Sequence, residues 1–231
     1  MEKTWHDTFL AYSQLPEHRQ AVEEAHAIIE NALRSHRQPY VAFSGGKDST
    51  CVLHLVLQHR RDALVWHWDY GPYLMPRELE RAILANAFQL GARRLRVTTS
   101  MRYWRGDKER VFVPALFGHV LPGLAREGYD LAFVGLRMEE SGKRRRRIQA
   151  QRSYGSIEEC WPIATWTWMD VWAYIVRQKL PYPEVYDRLA PLVGYDRARL
   201  STFHDPEFRD RAMATDGVLF WRWRCPSLAA R

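Results

Sequence analysis

Residues 40–58 read Y-V-A-F-S-G-G-K-D-S-T-C-V-L-H-L-V-L-Q, and the rest of the chain is organised around them. Tyr40-Val41-Ala42-Phe43 is a short β-prone apolar run, the pattern of a buried strand. Ser44 to Ser49 is a turn, because adjacent glycines accept backbone angles that other residues resist. Val52, Leu53, Leu55, Val56 and Leu57 then form an apolar stretch of helical length, with Asp48 or Ser49 expected as its N-cap. Strand, glycine turn and helix together aim backbone N–H groups and the positive end of a helix dipole at one point, which suits a phosphate. The pattern is not the common phosphate loop G-x-x-x-x-G-K-[ST]. Val41 stands where its first glycine belongs, and Asp48 follows the lysine.

The segment S-G-G-K-D-S resembles the signature of the PP-loop ATP pyrophosphatases, the adenine nucleotide alpha hydrolase-like superfamily. The resemblance implies a Rossmann-like α/β fold with an open, mostly parallel five-stranded sheet flanked by helices. It also implies that Ser44, Gly45, Gly46, Lys47, Asp48 and Ser49 hold the pyrophosphate end of ATP while the α-phosphate is attacked. Lys47 would neutralise charge on the leaving group. Asp48 would hold Mg²⁺, an ion that takes one or two carboxylates plus phosphate oxygens.

Composition sets the outer bounds. The chain has 231 residues, which suits one α/β domain with an appendage, and 46% of them are apolar, enough for a core. No apolar run reaches the roughly 18–20 residues of a membrane span. The polar start M-E-K-T-W-H-D carries no signal-peptide pattern, so a cytoplasmic location is expected. Cys51, Cys160 and Cys225 are few and scattered, against both a disulfide framework and a four-cysteine metal centre. The net charge of +7 matches an anionic ligand and leaves nucleic acid open as a second partner.

Before the loop, apolar residues recur at helical spacing between Arg19 and Ser35. After it, Ala63 to His67 reads as a second strand ending in Trp68-Asp69-Tyr70-Gly71. Ligands of open α/β sheets bind at the C-terminal ends of strands, so Asp69 is expected to meet the nucleotide or its magnesium, with turn capping the alternative. This stretch, through Met75-Pro76-Arg77-Glu78, is similar to D-T-G-x-x-x-P-E of the phosphoadenosine phosphosulfate (PAPS) reductase branch. A helix over 76–90, a third strand over 95–98 and a basic loop over 100–110 follow. A broken helix over 111–127 and a fourth strand over 130–134 come next.

That strand runs into Gly135-Leu136-Arg137-Met138-Glu139-Glu140-Ser141-Gly142-Lys143-Arg144, a G-x-R-x-x-E-S-x-x-R pattern that again resembles the PAPS reductase branch. The resemblance places Gly135 by the nucleotide and Arg137 at a central strand end, with Glu140, Ser141 and Arg144 toward the substrate. A guanidinium can hold phosphate or sulfate oxygens bidentately. Arg144 to Arg147 form a basic run, an anion-gripping loop or a nucleic-acid contact. Further on, Trp166 to Asp187 is similar to a W-T-x-x-D-V-W-x-Y-I segment of the same branch and of flavin adenine dinucleotide synthetases. Thr167 and Asp170 stand there as a capping box. No motif falls on the Arg- and Trp-rich tail.

Reductases of this branch carry a C-terminal E-C-G-x-H motif and often lack the loop lysine. Here the C-terminal cysteine sits in Arg224-Cys225-Pro226-Ser227, and Lys47-Asp48 is intact. The expected activity is therefore ATP-dependent adenylation. ATP would be cleaved between its α- and β-phosphates to activate an unidentified acceptor, with sulfur transfer among the roles open to it. Adenylyl-sulfate reduction by Cys225 and nucleic-acid binding or modification are the alternatives. The expected organisation is an N-terminal helical segment over 1–36, a nucleotide-binding domain over 37–190 and an extension over 191–231, in a monomer or homo-oligomer.

Overall fold

A computed structural model describes residues 1–72, 75–103, 112–151, 153, 157–201 and 219–220. Five parallel strands form the sheet: β1 (Pro39–Ala42), β2 (Leu64–Asp69), β3 (Arg94–Thr99), β4 (Leu131–Val134) and β5 (Glu158–Cys160), in the order β3-β2-β1-β4-β5. The chain winds outward from β1 to β3, then crosses back to place β4 on the other side of β1. The strand order therefore reverses between β1 and β4, where open α/β sheets bind ligands. The loop predicted to hold phosphate leaves β1, and the G-x-R motif leaves β4, so topology alone brings both to this crevice.

Strand side chains alternate between faces with a period of two. Val41, Phe43, Val65, Leu131 and Phe133 enter one core, shared with α2 (Pro16–Ser35), α3 (Lys47–His59), α4 (Arg77–Gln89) and α8 (Trp168–Gln178). Tyr40, Leu64, Trp66, Trp68 and Ala132 enter another, beneath α5 (Phe112–Ala115), a π-helical turn at Leu116–Val120 and α6 (Leu121–Arg126). The break expected in the helix over 111–127 is that π turn, which contains Gly118 and His119.

Several expectations shift. A helix α1 (Lys3–Tyr12), which periodicity did not reveal, lays Phe9 against Trp172, with ring centroids 6.0 Å apart. The fifth strand is Glu158–Cys160, too short and polar to read as a strand. The arginine run lies on helix α7 (Gly142–Gln149) rather than in a loop, capped by Ser141, whose hydroxyl accepts from the Arg144 amide. The capping box at Thr167 and Asp170 is present. Helix α9 (Val185–Val193) leads to a small parallel pair, β6 (Leu200–Ser201) with β7 (Leu219–Phe220). The basic loop expected over 100–110 falls largely outside the described residues, as does Cys225. Among the described residues no helix is long and apolar enough to cross a membrane.

Candidate active site at the strand crossover

The loop after β1 is tight because its glycines let the backbone approach its neighbours. Gly45 has φ +79°, and a Cβ there would stand 2.5 Å from the Ile83 side chain on α4. A Cβ on Gly135 would come within 2.8 Å of the backbone at Asp48 and Ser49. The end of β4 thus packs directly on the first turn of α3. That helix begins at Lys47 with Gly46 as N-cap, two or three residues earlier than expected, and the glycine has no side chain with which to cap it. Its first turn keeps amides that no intrahelical partner satisfies. Ser49 Oγ instead organises the loop, donating to the Gly46 carbonyl (2.9 Å) and accepting from the Ser44 amide (3.3 Å), with Ser44 Oγ at 3.1 Å.

Lys47 is fully buried. Its Nζ donates to the Ala198 carbonyl at 2.9 Å and lies 3.3 Å from Asp48 Oδ2. The ammonium therefore meets the segment after α9 rather than open space. Burial pushes the Lys47 amine down, with Asp48 opposing. The Tyr186 hydroxyl ties this segment to the loop, accepting from the amides of Lys47 (3.2 Å) and Leu200 (3.1 Å).

Arg137 departs from expectation. Sequence places it against the ligand as a bidentate anion clamp, yet its side chain is only 2% exposed and turned inward. Its Nε donates to Asp48 Oδ1 at 2.5 Å, and its Nη1 donates to Glu139 Oε2 at 2.6 Å and to the Trp166 carbonyl at 3.3 Å. A buried guanidinium requires carboxylates and carbonyls around it, and here they join β4, α3 and the start of α8. Burial works to raise the Asp48 carboxyl, but the charges of Arg137 and Lys47 outweigh it and hold the group well below the usual carboxylate range.

Asp69 departs as well. Its carboxylate accepts the Gly71 amide at 2.7 Å and both terminal nitrogens of Arg77 at 3.0 and 2.7 Å. This is the turn-capping alternative, reinforced by the first residue of α4.

The loop opens on a cavity of about 610 Å³. Its lining is in part polar, with Ser44, Gly46, Asp48, Ser49, Glu140 and Arg144, and in part apolar and aromatic, including Trp66, Trp68, Phe112 and Leu121. Gly135 lines it too. Arg144 pairs with Glu140, and Arg199 donates to the Glu140 carbonyl at 2.7 Å, so two arginines converge on one acid at the rim. Arg147 also faces inward, paired with Glu159 and stacked over Trp161. Lys143, Arg145 and Arg146 are exposed. Sequence reasoning missed Arg199, which lies in a stretch without a motif, and Tyr186, which lies inside the recognised Leu180 to Asp187 segment as an ordinary aromatic.

Asp48 fits the modest demand of Mg²⁺. Each of its oxygens keeps a lone pair beside its cation, and the ion needs one or two carboxylates when phosphate oxygens supply the rest. Among the described residues no group of three or more His, Cys, Asp or Glu could hold a metal without such a ligand. Cys51 is buried and its thiol pushed well up by burial; burial also pushes Cys160 up, to about 12. Neither supplies a thiolate at neutral pH.

Comparison with known proteins places this geometry. Residues 38–197 match the phosphoadenosine phosphosulfate reductase domain model. An adenosine 5'-phosphosulfate reductase of Bacillus thuringiensis (strain Al Hakam) is 25% identical over 222 residues, covering 90% of this chain and 92% of the relative. The sulfate adenylyltransferase subunit 2 of Rhizobium meliloti (strain 1021) is 24% identical over 209 residues, covering 74% and 68%. A phosphoadenylyl-sulfate reductase structure from Candida auris superposes with a TM-score of 0.50 at 12% identity, over 81% of this chain and 92% of that one, which speaks to fold alone. By the match across its sheet, loop and crossover motif, the chain belongs to the phosphoadenosine phosphosulfate reductase domain family, whose matched relatives are enzymes of sulfate activation and adenylyl-sulfate reduction.

Proposed function

We propose that the chain binds ATP at the β1–α3 corner and cleaves it between the α- and β-phosphates, passing the adenylyl group to an acceptor. The observation that carries this reading is the complete corner. Ser44, Gly45, Gly46 and Ser49 form a tight cradle at a helix N-terminus, and Lys47 and Asp48 are both present behind it. An adenylyl sulfate has no β,γ-pyrophosphate for such a cradle to hold, whereas ATP does. In the proposed step a nucleophilic oxygen of the acceptor bonds to the α-phosphorus. The bond from that phosphorus to the β-phosphate's bridging oxygen breaks, and pyrophosphate leaves toward the loop. The amides in the first turn of α3 beyond that of Lys47, which Tyr186 holds, stabilise the charge that forms there. For a phosphate to reach its ammonium, Lys47 exchanges the Ala198 carbonyl for a phosphate oxygen. Mg²⁺, held by Asp48 and the phosphates, would supply further charge neutralisation. Arg144 and Arg199 at the rim suit an anionic acceptor. The test is incubation with ATP and Mg²⁺, with sulfate among the candidate acceptors: pyrophosphate together with the adenylylated acceptor, or with AMP where water takes the adenylyl group, supports the reading, and ADP with phosphate counts against it.

A second reading is adenylyl-sulfate reduction. It is favoured by the reductase relative that matches across 90% of the chain. Cys51 is buried and the half-buried Cys160 has its thiol pushed up to about 12, which leaves Cys225 to serve as its nucleophile. Sulfite release from adenylyl sulfate with a thiol reductant, lost in Cys225→Ser, would select this reading over the first.

A further inference from the structure

His67 and Glu80 form a buried pair that the proposed chemistry does not use. His67, on β2, is 2% exposed and contributes to the cavity wall; Glu80, on α4, is 4% exposed. The imidazole has a partner at each nitrogen. Its Nδ1 lies 2.7 Å from the Phe43 carbonyl and its Nε2 lies 2.9 Å from Glu80 Oε1. Glu80 Oε2 has no hydrogen-bond partner among the described residues. A buried ionisable pair with an orphan oxygen is a costly way to fill a core, since apolar residues of similar volume often stabilise more. Packing does not account for its place here.

The bond to Phe43 does. A carbonyl only accepts, so Nδ1 must donate. Phe43 is the last residue before the loop, and its own amide donates to the Trp66 carbonyl at 2.8 Å. The Phe43 C=O and the Ser44 N–H belong to one planar peptide unit. His67 grips that unit by its oxygen, and Ser49 Oγ accepts its N–H at 3.3 Å. One turn along α4 from Glu80, Ile83 sits against Gly45. Helix α4 thus braces the loop twice, directly under Gly45 and through the imidazole at Phe43.

Resting on the phosphate-loop reading above, we infer that His67, oriented by Glu80, is a positioning residue of that loop: it sets the Phe43–Ser44 peptide plane and so the cradle's grip on the terminal phosphates.

Two substitutions separate this role from simple core filling. The amide nitrogen of Asn overlays Nδ1, so His67→Asn keeps the donation to Phe43. The amide of Gln overlays Nε2, so His67→Gln keeps the contact with Glu80 and loses the one with Phe43. Calorimetry on the full chain with ATP and with inorganic pyrophosphate is the measurement, with thermal melts as the fold control. We expect His67→Asn to bind both ligands within about threefold of wild type and His67→Gln to bind them roughly tenfold more weakly, the scale of one lost buried hydrogen bond. Equal effects of the two variants, or a larger loss in His67→Asn, overturn the inference. If His67→Gln does not fold, Glu80→Leu, which leaves the imidazole anchored at one nitrogen, takes its place. It should weaken both ligands by a smaller factor, and unchanged affinity there overturns the inference too. A wild-type chain that binds neither ligand removes the phosphate-loop reading itself.

Discussion

Asp48 and Asp69 hold comparable posts, each near the C-terminal end of a strand, β1 or β2, in the middle of the same parallel sheet. Both are held low by a guanidinium, and both resemble family positions expected at the ligand. Only Asp48 borders the cavity. It sits in the first turn of α3, backed by Arg137 and Lys47, with the end of β4 pressed against its backbone. Asp69 closes its own turn through Gly71 and is capped by Arg77, so its carboxylate is spent on local structure. The carboxylate that faces the cavity is the one that a second, distant segment supports from behind, and that support is what the β1–β4 crossover supplies.

Disrupting the support should do most harm. Arg137→Met leaves the Asp48 carboxylate buried beside Lys47 without its main partner and should cost about 3–5 kcal/mol of stability, read by denaturant unfolding. Lys47→Ala should slow pyrophosphate release by roughly 10²–10³, with thermal melts as the control for the fold. Gly135→Ala drives a methyl into the Asp48–Ser49 backbone, and should lose about 1–3 kcal/mol together with ATP affinity. Asp69→Asn breaks a half-exposed ion pair and should cost no more than about 1 kcal/mol, with ATP turnover unchanged. A large loss of turnover in Asp69→Asn would erase the contrast between the two corners.

Acid provides a milder probe. The folded Asp48 carboxyl titrates below its ordinary value of 3.8, so the folded state binds fewer protons there than the unfolded chain does. Its stabilising contribution is complete above that ordinary value and is lost as the pH falls toward the folded one. Acid unfolding of Asp48→Asn should accordingly show a shallower loss of stability below pH 4 than wild type.

Much of this was legible in the chain. The glycine corner is local chemistry: strand, Gly-Gly, lysine, acid and helix lie within residues 40–58, and the structure places them as a strand–loop–helix unit. The sheet and its helices followed from periodicity, apart from elements whose reason for forming is tertiary. Helix α1 exists because Trp5 and Phe9 pack on α8 and Tyr195. Strand β5 is three residues that hold their place by pairing with β4. The arginine run read as an anion-gripping loop, yet arginine is a good helix former and Ser141 caps the turn that carries it. The side-chain errors share one cause. Arg137 and Asp48 are 89 residues apart, and no spacing rule reveals that a strand-end arginine will turn inward to meet an acid on another element. Arg199 and the Ala198 carbonyl reach the loop through the fold of a segment that carries no motif.

The central claim is that the β1–α3 corner grips a triphosphate so that the α–β bond breaks. The most direct measurement is chromatographic identification of the nucleotide products after incubation with ATP and Mg²⁺, wild type beside Lys47→Ala. The account predicts pyrophosphate and an adenylyl product, the adenylylated acceptor or AMP, from wild type and a loss of both in the variant. ADP and phosphate as products, or equal yields from the two proteins, would contradict it.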